Sequence, residues 1–207
     1  LIALRALERT RTSKVIFLDI SQDLLDHAQA AVGWMGDLFR SSFVCASADD
    51  LSQIASGSVD VVTTRSVLIY VADKAQCFRE FYRVLKPGGR ISLFEPIARF
   101  GSPEPAHQLW GFDVAPVQEI AAKILAVYRK IQPLDSDPML DFDERDLFNL
   151  ATEAGFSSIS LEYQASLHLT TQPQPWETML NVARNPRIPT LHEAMRQSLT
   201  PAEIEAF

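Results

Sequence analysis

Apolar positions along this 207-residue chain follow two different periods, and the alternation between them predicts an α/β protein. Residues 14–19 (KVIFLD) form a short apolar run that closes on an acid, the pattern of a buried strand. Ser21 then stands where it can cap a helix over 22–32, with Leu24, Leu25 and Ala28 on the buried side. A second short strand begins at 42–44. A third apolar run, VDVV, ends in a small polar cluster of Thr63, Thr64, Arg65 and Ser66. Phe78, Phe81, Tyr82 and Leu85 fall at helical spacing, so one face of that helix is apolar. Pro87 stops the helix, and Gly88-Gly89 turns the chain into RISLFEP, another strand.

The second half of the chain is less regular. Ile120, Ile124, Tyr128 and Ile131 share a helix face. Asp143 is placed to cap ERDLFNLATEA, which Gly155 ends, and 156–163 alternate as a strand would. The remainder, through Trp176 and His192, reads as helical decoration. Residues 1–8 are helical in spacing but have no N-cap before them, while Thr200-Pro201-Ala202-Glu203 is a capping box with proline at the first helical position. These are the marks expected of a domain cut at both ends.

Composition narrows the class. A net charge of −7 argues against nucleic acid as a partner, and no apolar run approaches the ~20 residues of a membrane span. The opening LIALRALERTRTSK contains Glu8 and no small-residue cleavage site, so it is a poor signal peptide. Cys45 and Cys77 have no metal-ligand spacing and are read as small packing residues in a reducing, cytoplasmic compartment, with no metal expected.

Chemistry is expected at the carboxyl ends of the strands, where open α/β sheets bind ligands. Asp19 ends its strand with two acceptor oxygens, suited to two vicinal hydroxyl donors, although it can also help cap the following helix. Glu95 ends "FEP" at the same edge. His107 is a lone loop histidine, and such residues are usually solvated. Trp110, Phe112 and Tyr128 are available either to a pocket or to a small core of their own.

The stretch VDVVTTRSVLIYVADKAQCFREFYRVLKPGGRISLFEP resembles the second half of a class I S-adenosylmethionine-dependent methyltransferase of the small-molecule type, in which L-K-P-G-G before a strand recurs. That resemblance implies a Rossmann-like doubly wound, mostly parallel sheet, with a helical lid inserted after the strand at 90–96, the fifth of the family's sheet. It divides the chain into a cofactor-binding half (1–96), a lid or substrate insertion (97–140) and a C-terminal part with helical decoration (141–207). It implies S-adenosylmethionine as cofactor and a small-molecule methyl acceptor, with no nucleic acid and no membrane as partner; the oligomeric state stays open, a dimer included.

Carried over residue by residue, Asp19 would hold the ribose and Ile20 would pack on the adenine. Ser47, standing where relatives often have an acid, would accept from the adenine amine, or the backbone of Ala48 or the side chain of Asp49 would do so instead. Arg65 and Ser66 would lie along the methionine portion. Tyr70 falls near the expected substrate position, or is a buried helix residue, and Glu95, His107 or Tyr70 are the candidates for proton removal. The family's first strand and glycine-rich loop are not matched, since no G-x-G-x-G occurs in the chain. That strand would belong between those near Phe17 and Val61, so a gap is expected there. The rival readings are a non-catalytic, degenerate methyltransferase-like binding domain and a nicotinamide-dependent dehydrogenase.

Overall fold

The computed structural model describes residues 2–166 and 175–207. They group into two compact units: Leu1–Pro96 with Glu144–Leu161, and Ile97–Asp143 with Glu162–Phe207.

The first unit begins with helix α1 (Ile2–Arg9), strand β1 (Val15–Asp19), helix α2 (Gln22–Met35) and strand β2 (Ser41–Cys45). Ser21 caps α2 as its sequence predicts, accepting from the Leu24 amide at 3.3 Å. The helix runs three residues beyond the expected end, to Met35, and is capped by Gly36. That glycine takes φ +75° and donates back to Gly33, a left-handed closure that suits a residue without Cβ. Leu25 and Val32 are buried, but Leu24, expected on the buried side, is 59% exposed.

Strand β3 (Val59–Arg65), helix α3 (Lys74–Val84) and strand β4 (Leu85–Phe94) come next. The expected turn at Pro87-Gly88-Gly89 is instead an irregularity inside β4, because pairing with β3 already starts at Leu85. Val59 pairs with Leu85 and Val61 with Arg90, so residues 86–89 loop out opposite Asp60. Gly88 takes φ +79°, and a Cβ on Gly89 would stand 2.9 Å from the Lys86 carbonyl and 3.1 Å from that of Asp60. The Lys86 ammonium bonds both oxygens of the Asp60 carboxylate at 2.9 Å, closing the bulge from outside.

Both pairs are parallel, β1 with β2 and β3 with β4. Among the described residues β1 and β3 share no ladder, so the α/β unit holds two two-stranded sheets rather than one continuous sheet. The interruption falls between the strands of Phe17 and Val61, where the sequence leaves a gap. Its flanks carry apolar side chains in water, Ile16 at 39% and Val61 at 60% exposure.

One core joins these parts. Leu68, Cys77, Phe78, Phe81 and Val84 are buried with Ala48, Leu51 and Ala151, and Leu18, Val62, Ile91 and Leu93 pack against them. Full burial of each phenylalanine is worth about 2–3 kcal/mol. Helix α5 (Glu144–Glu153) completes this unit. The expected strand at 156–163 does not form: these residues follow α5 as irregular backbone, with no ladder partner among the described residues. Phe156 is held instead by its amide on the Ala151 carbonyl and by an edge contact with Tyr82 at 5.3 Å. Cys77 is a packing residue as expected, and burial pushes its thiol up to about 12, whereas Cys45 is exposed.

The loop after β2 is fixed to α3 by an ion pair. Arg83 donates to both oxygens of Glu80, from Nε at 2.7 Å and from an Nη at 2.8 Å. Glu80 also accepts the buried Leu51 amide at 2.8 Å, while Arg83 donates to the carbonyls of Leu51 at 2.7 Å and Ile54 at 3.0 Å. The hydrogen bonds from Arg83 hold the Glu80 carboxyl below its ordinary range, against the opposing effect of burial.

The second unit contains a two-residue-per-strand hairpin of β5 (Gln108–Leu109) and β6 (Phe112–Asp113), then α4 (Gln118–Ile131), α6 (Trp176–Asn181), α7 (Leu191–Ser198) and α8 (Pro201–Ala206). Its core gathers Leu109, Ile124 and Tyr128 with Leu191, Ala194 and Met195. The capping box at Thr200 and Glu203 forms as read, and Thr190 with Glu193 makes a second one.

Glu80→Ala is expected to cost about 1–3 kcal/mol in denaturant unfolding, because it strands the buried Leu51 amide and removes the carboxylate from Arg83. With its folded pKa depressed, Glu80 contributes stability above its unfolded pKa and loses it as pH falls through the folded value, so Glu80→Gln should flatten that acid limb. Gly89→Ala should cost about 1–3 kcal/mol, since the new methyl would meet the Leu85 side chain at 2.8 Å and two backbone oxygens that cannot easily move aside.

Candidate active site

Asp19 stands at the last position of β1, paired in register with Cys45 of β2. Its backbone carbonyl accepts the Ala46 amide at 3.0 Å, which carries the sheet pairing into the loop beyond β2. One carboxylate oxygen, Oδ1, accepts the Ser21 amide at 2.9 Å and so braces the start of α2. Among the described residues no protein donor reaches the other oxygen. The helix-bracing role and a ligand role are therefore compatible on one side chain. Ile20, next in the chain, is 74% exposed, which is unusual for an isoleucine beside a polar strand end.

The loop after β2 places its three candidates differently. Ser47 and Asp49 are half-buried. Ala48 points into the main core at 5% exposure, leaving only its backbone to a ligand. Asp50 is exposed, and its bonds from Ser52 lower its pKa from the ordinary value. Because Ala48 and Leu51 share a core with Leu68, the loops after β2 and β3 are packed in one cluster.

After β3 the chain turns sharply. Ser66 takes φ +55°, a left-handed conformation uncommon for serine, and its amide donates to the Phe94 carbonyl at 2.8 Å. Glu95 anchors the segment from Val67 to Ile69. Its Oε1 accepts the Val67 amide at 3.0 Å and the Thr64 hydroxyl at 3.3 Å, and its Oε2 accepts the Ile69 amide at 3.2 Å. The carboxylate thus satisfies backbone donors that this otherwise irregular stretch would leave unpaired. Leu68 and Ile69 are buried beneath it, while Tyr70 projects at 44% exposure from the short 3₁₀ turn Leu68–Tyr70. Arg65 is exposed and lies over the Phe94 ring, 5.5 Å from its centroid.

Asp19, Ile20, Ser47, Ala48, Asp49, Arg65, Ser66, Tyr70 and Glu95 therefore belong to the first unit, and His107 to the second, where it is exposed just before β5. Trp110 and Tyr128 pack in the second unit's own core, with ring centroids 5.6 Å apart, and Phe112 is exposed. Two participants escape a reading of the sequence. There Thr64 is one member of a polar cluster and Phe94 one residue of a strand. The signal that points to them is a strand-end carboxylate facing a turn whose backbone amides need acceptors. No group of acids, histidines and cysteines able to hold a metal occurs among the described residues.

A methyltransferase domain family matches residues 2–93. The chain is 30% identical over 165 residues to the mitochondrial 2-methoxy-6-polyprenyl-1,4-benzoquinol methylase of Caenorhabditis elegans, an alignment covering 78% of this chain and 56% of that protein. It is 31% identical over 155 residues to the ubiquinone/menaquinone biosynthesis C-methyltransferase UbiE of Klebsiella pneumoniae, covering 72% and 58%. Among solved structures, an S-adenosylmethionine-dependent methyltransferase from Mesorhizobium loti aligns with a TM-score of 0.53 at 22% identity, over 75% of this chain and 68% of that one. Residues 2–93 carry a methyltransferase domain, and the relatives and the fold are those of class I S-adenosylmethionine-dependent methyltransferases. It spans little more than half the length of these curated relatives, 56% and 58%.

Glu95→Ala should release the 66–70 segment. Amide hydrogen exchange at Val67 and Ile69 is expected to accelerate markedly, with a stability loss of about 1.5–3 kcal/mol, while Glu95→Gln should keep part of the protection.

Proposed function

We propose that this chain forms part of a methyltransferase that transfers a methyl group from S-adenosylmethionine to a small-molecule acceptor, with Asp19 holding the cofactor's ribose. The observation that carries this reading is the strand-end carboxylate with one oxygen engaged by the Ser21 amide and the other open to donors. Vicinal hydroxyls are donors of the matching geometry. The exposed Ile20 offers an apolar face to the adenine, and Ser47, the Ala48 backbone and Asp49 offer polar partners around it. Arg65 and Ser66 line the edge assigned to the methionine end.

When bound, the cofactor supplies an electrophilic methyl on a positively charged sulfur, and that charge is lost on transfer. Much of the acceleration then comes from alignment, so rigid placement of the binding loops is the protein's main contribution. Glu95 acts here as a positioning residue, fixing the turn that leads from β3 to Tyr70. For an acceptor that must lose a proton, Tyr70 is the exposed candidate within the first unit to receive it. The relatives' names refer to benzoquinol and quinone methylation at carbon. They favour an electron-rich aromatic ring as the first acceptor class to assay.

Calorimetric titration with S-adenosylhomocysteine tests the cofactor assignment. Binding is expected, and Asp19→Ala should weaken it by ~1.5–3 kcal/mol, the scale of hydrogen bonds to a charged group. Absence of binding by the folded chain at millimolar ligand would reject the proposal, and unchanged affinity in the variant would reject the ribose role.

A further inference from the structure

At the corner between α2 and β2, four apolar side chains project into water. Trp34 is 92% exposed, Phe39 82%, Leu38 46% and Met35 36%. Isolated exposed apolar residues need no explanation, but four within six positions, two of them aromatic, form a patch. The corner is tightly built. Gly36 closes α2, and Leu38 folds back so that its Cδ1 would lie 3.7 Å from a Cβ at Gly33. Arg40, buried at 8% exposure, ties the corner to the α1–β1 connection by donating to the carbonyls of Leu7 at 2.6 Å and Ser13 at 3.2 Å.

That tie sets Arg11 beside Phe39, with Arg9 and Lys14 close to it along the chain. Arg9, Arg11 and Lys14 are exposed, and none makes an ion pair among the described residues. Both nearby acids are already neutralised, Glu8 by Arg5 at 2.6 Å and Asp37 by Arg40 at 2.7 Å. Arg11 and Phe39 line the same shallow cleft with Leu7 and Glu8. In a chain of net charge −7, this corner is a local cationic exception.

We propose that this corner docks on an anionic lipid surface, Trp34 and Phe39 entering the headgroup layer while Arg9, Arg11 and Lys14 lie against the phosphates. Amphipathic aromatic rings favour the membrane–water interface, and unpaired basic residues beside them add attraction to anionic headgroups. Charge also selects this occupant over a second copy of the chain, because two such corners would bring like charges together. Surface adsorption needs no spanning helix, and it departs from the expectation, drawn from the family resemblance, that no membrane is a partner. The register Val15 with Ser41 puts the corner at the amino ends of β1 and β2, leaving the Asp19 end free.

Co-sedimentation of the chain with phosphatidylcholine vesicles, with and without phosphatidylglycerol, tests the proposal. Binding is expected only to the anionic vesicles. Replacing Arg9, Arg11 and Lys14 by glutamine should weaken it about fivefold for each residue. The double variant Trp34→Ser, Phe39→Ser should weaken it more than about tenfold with an unchanged circular dichroism spectrum. Equal binding to neutral vesicles, no binding to either, or undiminished binding by the variants would overturn it. So would a dimer in sedimentation equilibrium that the Trp34→Ser, Phe39→Ser change abolishes, which assigns the corner to a second copy.

Discussion

The first unit depends on a single bidentate ion pair, Glu80 with Arg83, more than on any one apolar contact. The pair is within one helix, yet its outward-facing bonds all go to the loop after β2, at Leu51, Ile54 and Ser56. A helix on one strand pair thereby holds the exit loop of the other. Because the two pairs share no ladder among the described residues, this polar clamp and the core around Phe78 take over a task that continuous sheet hydrogen bonding would otherwise perform. Burial of Glu80, beside an Arg83 side chain that is a third exposed, makes the pair conditional. Complete, it satisfies a buried amide; with either partner removed, it leaves a charge in a poor environment.

Glu95 repeats the same device at the edge of the candidate site. A carboxylate accepts several backbone amides at once, which lets a short segment keep a non-repetitive path without exposing its polar groups. Here an acid that looks chemical in the sequence has structural work first. Asp19 is the contrast, with one oxygen committed to the protein and one not. Counting committed oxygens separates the three acids better than their positions do, since Asp19 and Glu95 both end strands.

Most of the first unit is readable from periodicity. Ser21 as a cap, Phe78 and Phe81 on the apolar face of α3, and strands at 14–19 and from 59 follow from local spacing, whereas β3 runs on through the polar cluster to Arg65, Tyr82 is exposed and Leu85 belongs to β4. The exposure of Leu24 is not readable, because the helical wheel allows either of two adjacent leucines inward and only the tertiary neighbours choose. The alternation at 156–163 is a strand signal without a strand, since a ladder needs a partner and none lies alongside among the described residues. Glu80 carries no signal at all: a charged residue amid a helix reads as solvated until its neighbour Arg83 and the Leu51 amide are seen in space. At the candidate site, Asp19, Ile20 and the 65–66 turn are legible through family resemblance, whereas the anchoring function of Glu95 requires the geometry of three separate donors.

The irregularity at 86–89 has an effect at a distance from itself. On β3, Val59 is half-buried, Asp60 and Val61 both face out, and inward facing resumes at Val62 and Thr64. The strand has slipped its two-residue phase by one step opposite the bulge. Thr64 rather than Thr63 or Arg65 consequently turns toward Glu95, and Arg65 is left outside on Phe94. The strand's inlet acts as a phase selector for its outlet. A pair of glycines that never approaches the candidate site decides which side chains are delivered to it.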